Sequence, residues 1–200
     1  MRILLFLKCI AGLDFTRRNF GKNSLLNSLI NKEKNNENGR SIYLYGNIDT
    51  DVCIKLSAKL RSFEETKDPI HLHIQSFGGE LLPTFNVIDT IDKLYSPVYS
   101  YVEGYCASAA SLLSVCCKKR FMNKHSLLLI HQLSGNTEGT YNYMKQDMTN
   151  FDIYMNFAKE IYIENSKLNN ETLNDLLKYD NKWLNSTECL KYGLIDSILL

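Results

Sequence analysis

The chain has 200 residues, with 23 Lys and Arg against 22 Asp and Glu, a formal net charge of +1, and 44% hydrophobic residues. That length supports one large domain, with or without a small appendage, and buries roughly 70% of the surface that the unfolded chain exposes, so the core needs no disulfide or metal staple. Near-neutral charge argues against a general nucleic-acid or polyanion binder, and no apolar run approaches the ~18 residues of a membrane span.

The first 39 residues differ from the rest. Arg2, Lys8, Arg17, Arg18 and Lys22 stand against one acid, Asp14, in the first 30 positions, after an apolar stretch from Ile3 to Leu7. Such a start reads either as an organelle presequence or as a docking N-terminus that stays in place, while Lys8 interrupts any secretory core. Residues 31–40, NKEKNNENGR, are a polar loop, and the regular pattern occupies 40–200.

From Ser41 the chain alternates. SIYLYG (41–46) is a short β-type run, and 50–65 carries Val52, Leu56, Leu60 and Phe63 at helical spacing. IHLHIQS (70–76) alternates as a strand, and a Gly-Gly turn leads into a helix over 78–95, with Pro83 in its first turns. PVYSYVEG (97–104) is a strand and 108–118 a small-residue apolar helix; RFM (120–122) and SLLLIH (126–131) are further strands. A long helix covers 140–166 with an aromatic and methionine stripe, and a second covers about 171–178. After WLN come a helix starting near Asn185–Glu188, Gly193 as its stop, and a last strand in LIDSIL. Strands alternating with helices imply βαβ units and a largely parallel sheet.

The six cysteines, Cys9, Cys53, Cys106, Cys116, Cys117 and Cys189, are scattered and form no C-x-x-C pair. They read as buried thiols of a reducing compartment, cytoplasm or organelle matrix, and not as a zinc site or a secreted framework.

Three features fall at strand ends, where α/β folds build sites. In SFGGE (76–80) two glycines let the backbone turn sharply and bring bare N–H groups close to a substrate; a plain tight turn would use the same residues. In GYCASAAS (104–111) Ser108 stands where a helix begins, as a nucleophile beside helix N-terminal N–H groups or as an ordinary N-cap. In IHQ (130–132) His131 ends an apolar strand, as a structural histidine or as the base that a serine needs near neutral pH. The coincidence of all three on one sheet favours the catalytic reading.

These segments, in this order, resemble the proteolytic subunit of the Clp protease (ClpP), a serine peptidase family of the ClpP/crotonase fold. The resemblance runs from about Ser41 to Leu199 and rests on SIYLYGNID, IHLHIQSFGGE, GYCASAAS, LLLIHQLSGNTEG and KWLNSTECLKYGLIDSIL. It implies an α/β superhelix of repeated β-β-α units with a protruding handle helix. It also implies a serine endopeptidase acting on unfolded polypeptides inside stacked heptameric rings, fed by a separate Clp-type ATPase unfoldase, with no metal or organic cofactor.

By resemblance Ser108 is the nucleophile, His131 the general base, and the backbone N–H groups of Gly78 and Ala109 form the oxyanion hole. The third triad position, two before Trp183, holds Asn181 where the family has Asp, with Asp180 beside it in place of the usual Arg; either could complete the triad. Phe77 and Leu133 stand where the family has proline. His71 and His73 replace aromatic residues that line the family's ATPase docking cleft. Two histidines alternating on one strand could also suggest a metal, yet the pattern places no third ligand. The Asn181 departure leaves open a catalytically weak ring subunit working beside an active paralogue. An acyl-CoA enzyme of the crotonase type is the other alternative, and the Ser/His pair at family spacing argues against it.

Overall fold

The computed structural model describes residues 39–200 except Glu65, Asp180 and Asn181. The presequence reading of the N-terminus therefore lies outside the described residues. The elements are β1 (Ser41–Ile48), α1 (Thr50–Arg61), β2 (Ile70–Gly79), α2 (Leu81–Lys93), β3 (Val98–Ala107), α3 (Ala109–Val115), β4 (Lys119–Asn123) and β5 (Leu127–Leu129). They continue with α4 (Tyr141–Glu164), α5 (Asn170–Leu177), β6 (Trp183–Asn185), α6 (Ser186–Lys191) and β7 (Ser197–Leu199). This is a mixed α/β fold built on a parallel sheet, consistent with the ClpP/crotonase-like architecture. No described helix is long and apolar enough to cross a membrane.

The strands run in the order β1-β2-β3-β4-β7, all parallel. Leu44, Ile48, Ile70, Leu72, Ile74, Val98, Val102 and Met122 point to the core side and are buried there with Leu60 of α1, Val87 of α2 and Leu113 of α3. The helices are set by local signals as well as by that burial. The Asp49 carboxylate accepts the Val52 N–H at 2.8 Å to start α1, with Lys59 and Arg61 in its last turn. A reciprocal Asn185–Glu188 capping box starts α6, and the N–H groups of Gly193 and Leu194 close its end on the carbonyls of Leu190 and Cys189.

Two features of the sheet shape the site. Strand β3 is forked: Tyr99–Val102 pair with β4, whereas Tyr105–Ala107 pair with β5. The Ser126 hydroxyl bridges the fork, accepting the Gly104 N–H at 2.7 Å and donating to the Val102 carbonyl at 3.0 Å. The second feature is a register shift between β1 and β2, where an extra residue in β2 brings Gly78 and Gly79 opposite Asn47 and Ile48, and a further shift in β3 brings Cys106 opposite Ser76.

Element boundaries differ from the sequence-based ones where tertiary pairing decides. Helix α1 stops at Arg61, β2 and β3 extend to Gly79 and Ala107, and β5 ends at Leu129 so that His131 lies two residues beyond it. The β5–β6 pair is antiparallel, an exception in an otherwise parallel sheet. In α4 only Ala158 and Tyr162 are fully buried, near its C-terminal end, while Tyr141, Tyr143 and Met148 are exposed.

Candidate active site

Ser108 links the end of β3 to the start of α3 with φ 57° and ψ −128°. It is the one non-glycine residue at positive φ among those described. Such a conformation costs on the order of 1–3 kcal/mol, persists only where the surroundings over-determine it, and clusters at functional sites. The Ser108 N–H donates to the Leu129 carbonyl at 3.0 Å, and its carbonyl accepts from the Ser111 N–H at 2.9 Å. Its side chain makes no capping hydrogen bond, so the N-cap reading does not hold in its usual form.

Ser108 and His131 line one cleft of ≈ 70 Å³, together with Gly79, Ala109, Met155 and Tyr162. Gly78 packs against the same turn. A Cβ built on it would stand 2.6 Å from the Ala107 carbonyl oxygen, 2.8 Å from Ser108 Cβ and 2.9 Å from the Ala109 nitrogen. At φ +90° and with that crowding, only glycine fits. At Gly79 a Cβ would fall 1.9 Å from the Ile48 carbonyl oxygen. The Gly-Gly pair thus lets β2 lie directly on β1 on one side and on the Ser108 turn on the other.

The Gly78 N–H donates to the Ser76 hydroxyl at 3.0 Å in a fully buried setting. Sequence reasoning missed this bond, although a Ser two residues before a backbone N–H is a known turn signal. It also missed an aromatic cluster: Phe77 stacks on Tyr105 at 4.1 Å and meets Trp183 edge-on at 6.3 Å. That cluster ties the Gly-Gly turn to β6, which pairs Trp183 with Leu129 of β5. Asn181 and Asp180, just before β6, lie outside the described residues.

His71 and His73 sit apart from this cleft, on the opposite sheet face from the apolar core. His73 stacks between Tyr43 and Tyr101, both at 4.8 Å, and Tyr101 stacks on Phe121 at 5.0 Å, a continuous aromatic row across four strands. His71 Nδ1 lies 2.8 Å from the Tyr101 hydroxyl, and His73 Nδ1 2.9 Å from a Glu103 carboxylate oxygen. Glu103 also accepts from the Tyr45 hydroxyl, whose phenol is pushed up by burial and by that carboxylate. Burial, then the neighbouring His73 and Arg40, hold His71 below the usual histidine range.

The cysteines offer no rival nucleophile among the described residues. Burial holds the Cys106 thiol well above its ordinary value, and pushes Cys116 and Cys189 up to about 12. Each stays a neutral thiol at neutral pH. Among the described residues no group of three or more His, Cys, Asp or Glu is placed to hold a metal ion.

Comparison with known proteins points one way. Residues 28–200 match the family model described as Clp protease. The chain is 30% identical over 166 residues to the ATP-dependent Clp protease proteolytic subunit 1 of Protochlamydia amoebophila, covering 80% of each chain. It is 31% identical over 171 residues to the ATP-dependent Clp protease proteolytic subunit 2 of Treponema denticola, covering 80% of this chain and 82% of the relative. With the subunit 2 of Treponema pallidum it shares 32% over 174 residues, at the same coverage.

Proposed function

The chain belongs to the Clp protease family, a family of proteolytic hydrolases, and from that premise we propose that it is a serine endopeptidase subunit with Ser108 as nucleophile and His131 as general base. The observation that carries this is the strained, uncapped Ser108 in a cleft shared with His131. In this reading His131 takes the hydroxyl proton as Ser108 Oγ attacks the scissile carbonyl, then returns it to the leaving amine; water resolves the acyl-enzyme by the same route. The N–H groups of Gly78 and Ala109 receive the developing oxyanion, where losing one donor typically costs ~10²–10³ in rate. Asn181 or Asp180 completes the triad by orienting His131.

The wider reading follows the family. The subunit stacks in heptameric rings through α4, acts on unfolded polypeptide in the enclosed chamber, and receives it from a Clp-type ATPase that docks on the aromatic face bearing His71 and His73. Residues 40–200 form the peptidase domain and 1–39 a divergent N-terminal segment. The reaction proceeds in cytoplasm or an organelle matrix.

A second reading, a catalytically weak ring subunit paired with an active paralogue, draws on two observations. Asn stands at position 181, and a change from Asp to Asn in a serine triad costs ~10⁴. The Gly78 N–H is also already bonded to Ser76. Treating the purified protein with a fluorophosphonate probe and mapping the modified residue decides between them. Labelling at Ser108 supports the peptidase; an unmodified Ser108 beside an active control ClpP supports the weak subunit. Multi-angle light scattering at micromolar concentration tests assembly, and a stable monomer would contradict the ring.

A further inference from the structure

We propose that Ser111 and Tyr162 are positioning residues that fix the backbone turn of Ser108 and tie it to helix α4, an inference that rests on Ser108 being the nucleophile. Ser111, on the first turn of α3, is 1% exposed, and its Oγ lies 2.7 Å from the Ser108 carbonyl oxygen and 3.2 Å from the Leu129 carbonyl oxygen. The Leu129 carbonyl is also the acceptor of the Ser108 N–H at 3.0 Å. One hydroxyl therefore reaches the two peptide groups that set the φ and ψ of the strained residue: its own carbonyl, and the partner of its own N–H.

A serine that bonds back to the carbonyl three residues earlier is common in helices and carries no function by itself. What distinguishes this one is its third partner. The Tyr162 hydroxyl, from α4 and 51 residues away in sequence, stands 2.6 Å from Ser111 Oγ. Tyr162 is 4% exposed, lies on the buried turn of α4 with Ala158, and lines the cleft with Ser108 and His131.

The donor inventory gives the bonds a direction. A phenol and a serine hydroxyl have one proton each, while the two backbone carbonyls can only accept. Burial raises the Tyr162 phenol, so it keeps its proton. Tyr162 therefore donates to Ser111 Oγ, and Ser111 donates to the Ser108 carbonyl at the shorter distance, with Leu129 as the alternate acceptor. Both hydroxyls are satisfied only in this order. The position of α4 is then read at Ser108, because withdrawing the phenol removes the donor that orients the Ser111 hydroxyl.

The test uses the full chain with Tyr162→Phe, which keeps the ring in place, with Ser111→Ala, and with both. Reaction at Ser108 with a fluorophosphonate is resolved into the maximal inactivation rate and the half-saturating probe concentration, and amide hydrogen exchange is followed at Ser108. Tyr162→Phe should lower the maximal rate about three- to tenfold, the range expected for one buried hydrogen bond, and leave the half-saturating concentration unchanged. Ser111→Ala should lower it further, and the double variant should match Ser111→Ala, since the phenol acts through that hydroxyl. The Ser108 amide should exchange faster in all three. An unchanged maximal rate, a loss confined to the half-saturating concentration, or effects that multiply in the double variant would overturn the inference. If the parent fails to label at Ser108, the nucleophile assignment falls and exchange decides alone: acceleration at Ser108 in Tyr162→Phe upholds the positioning role, and unchanged exchange refutes it.

Discussion

The Gly78 N–H points at the Ser76 hydroxyl oxygen 3.0 Å away, so one of the two proposed oxyanion donors is already engaged inside its own loop. A substrate carbonyl arriving at the turn must share that hydrogen or displace it. The donor stays fixed in place before reaction, at the cost of competition when charge develops on the substrate oxygen.

Ser76→Ala removes the competing acceptor and leaves the Gly-Gly backbone intact. If the Ser76 bond opposes oxyanion binding, kcat rises about two- to fivefold with KM unchanged, as one net hydrogen bond of about 1 kcal/mol allows. Steady-state hydrolysis of a fluorogenic peptide measures both constants. A fall in kcat would mean that the bond instead holds Gly78 in its productive position.

Ser108→Ala should abolish probe labelling and peptide hydrolysis and leave thermal stability near that of the parent, because the serine side chain makes no capping bond. Ser108→Gly should be equally inactive and more stable. Glycine populates φ > 0 without steric cost, so relief of the φ 57° strain contributes about 1 kcal/mol, or roughly 2–4 °C in Tm for a chain of this size. Calorimetry that ranks Ser108→Gly at or below Ser108→Ala would show that the turn is unstrained.

What could be read from the residues and what could not divide along physical lines. The Gly-Gly pair, Ser108 and His131 each stand at or just past the end of a strand, so their places there were legible from patterns a few residues long. Helix α6 was legible from its capping residues, Asn185 and Glu188. The fork in β3 was not, because it depends on Ser126 reaching back to Val102 and Gly104. Nor was the Ser111–Tyr162 bond, whose partners lie on helices 51 residues apart in sequence. The Phe77–Tyr105–Trp183 cluster was equally hidden: Phe77 alone reads only as the loss of a proline, and its role appears once three strands converge.

Asn181→Asp should raise peptide hydrolysis or leave it unchanged, and Asp180→Asn should matter little. A carboxylate at the third triad position orients the histidine and stabilises the imidazolium that forms during attack, which a neutral amide does less well. The pH profile of kcat/KM gives a second readout, since a carboxylate beside His131 raises the apparent pKa of the acid limb. The reverse pattern, with Asp180→Asn inactivating, would assign the triad role to Asp180.

The aromatic row across β1, β2, β3 and β4 should make partner docking sensitive to acid through His71. The groups that face this histidine are Tyr99 and Tyr101 of β3, His73 of its own strand, and Arg40 just before β1, with Glu103 beyond His73. Burial raises the Tyr101 phenol as well, so Tyr101 keeps its proton, and its hydroxyl lies 2.8 Å from Nδ1 of His71. Protonation of His71 places charge on a face that must lose water when an apolar segment binds. The sign follows from the direction of the shift. A histidine held below its unfolded value of ~6.5 binds fewer protons in the folded protein, so its neutral form is favoured above that pH. Stability and docking are then lost as pH falls from ~6.5 through the lowered folded value. ATPase-stimulated proteolysis should therefore decline more steeply below pH ~6.5 than hydrolysis of a small peptide that needs no partner, with His131 common to both assays. Replacing both His71 and His73 by Tyr should remove the difference and tighten docking at every pH. Parallel declines in the parent, or a double variant with the parent's profile, would remove these histidines from the docking surface.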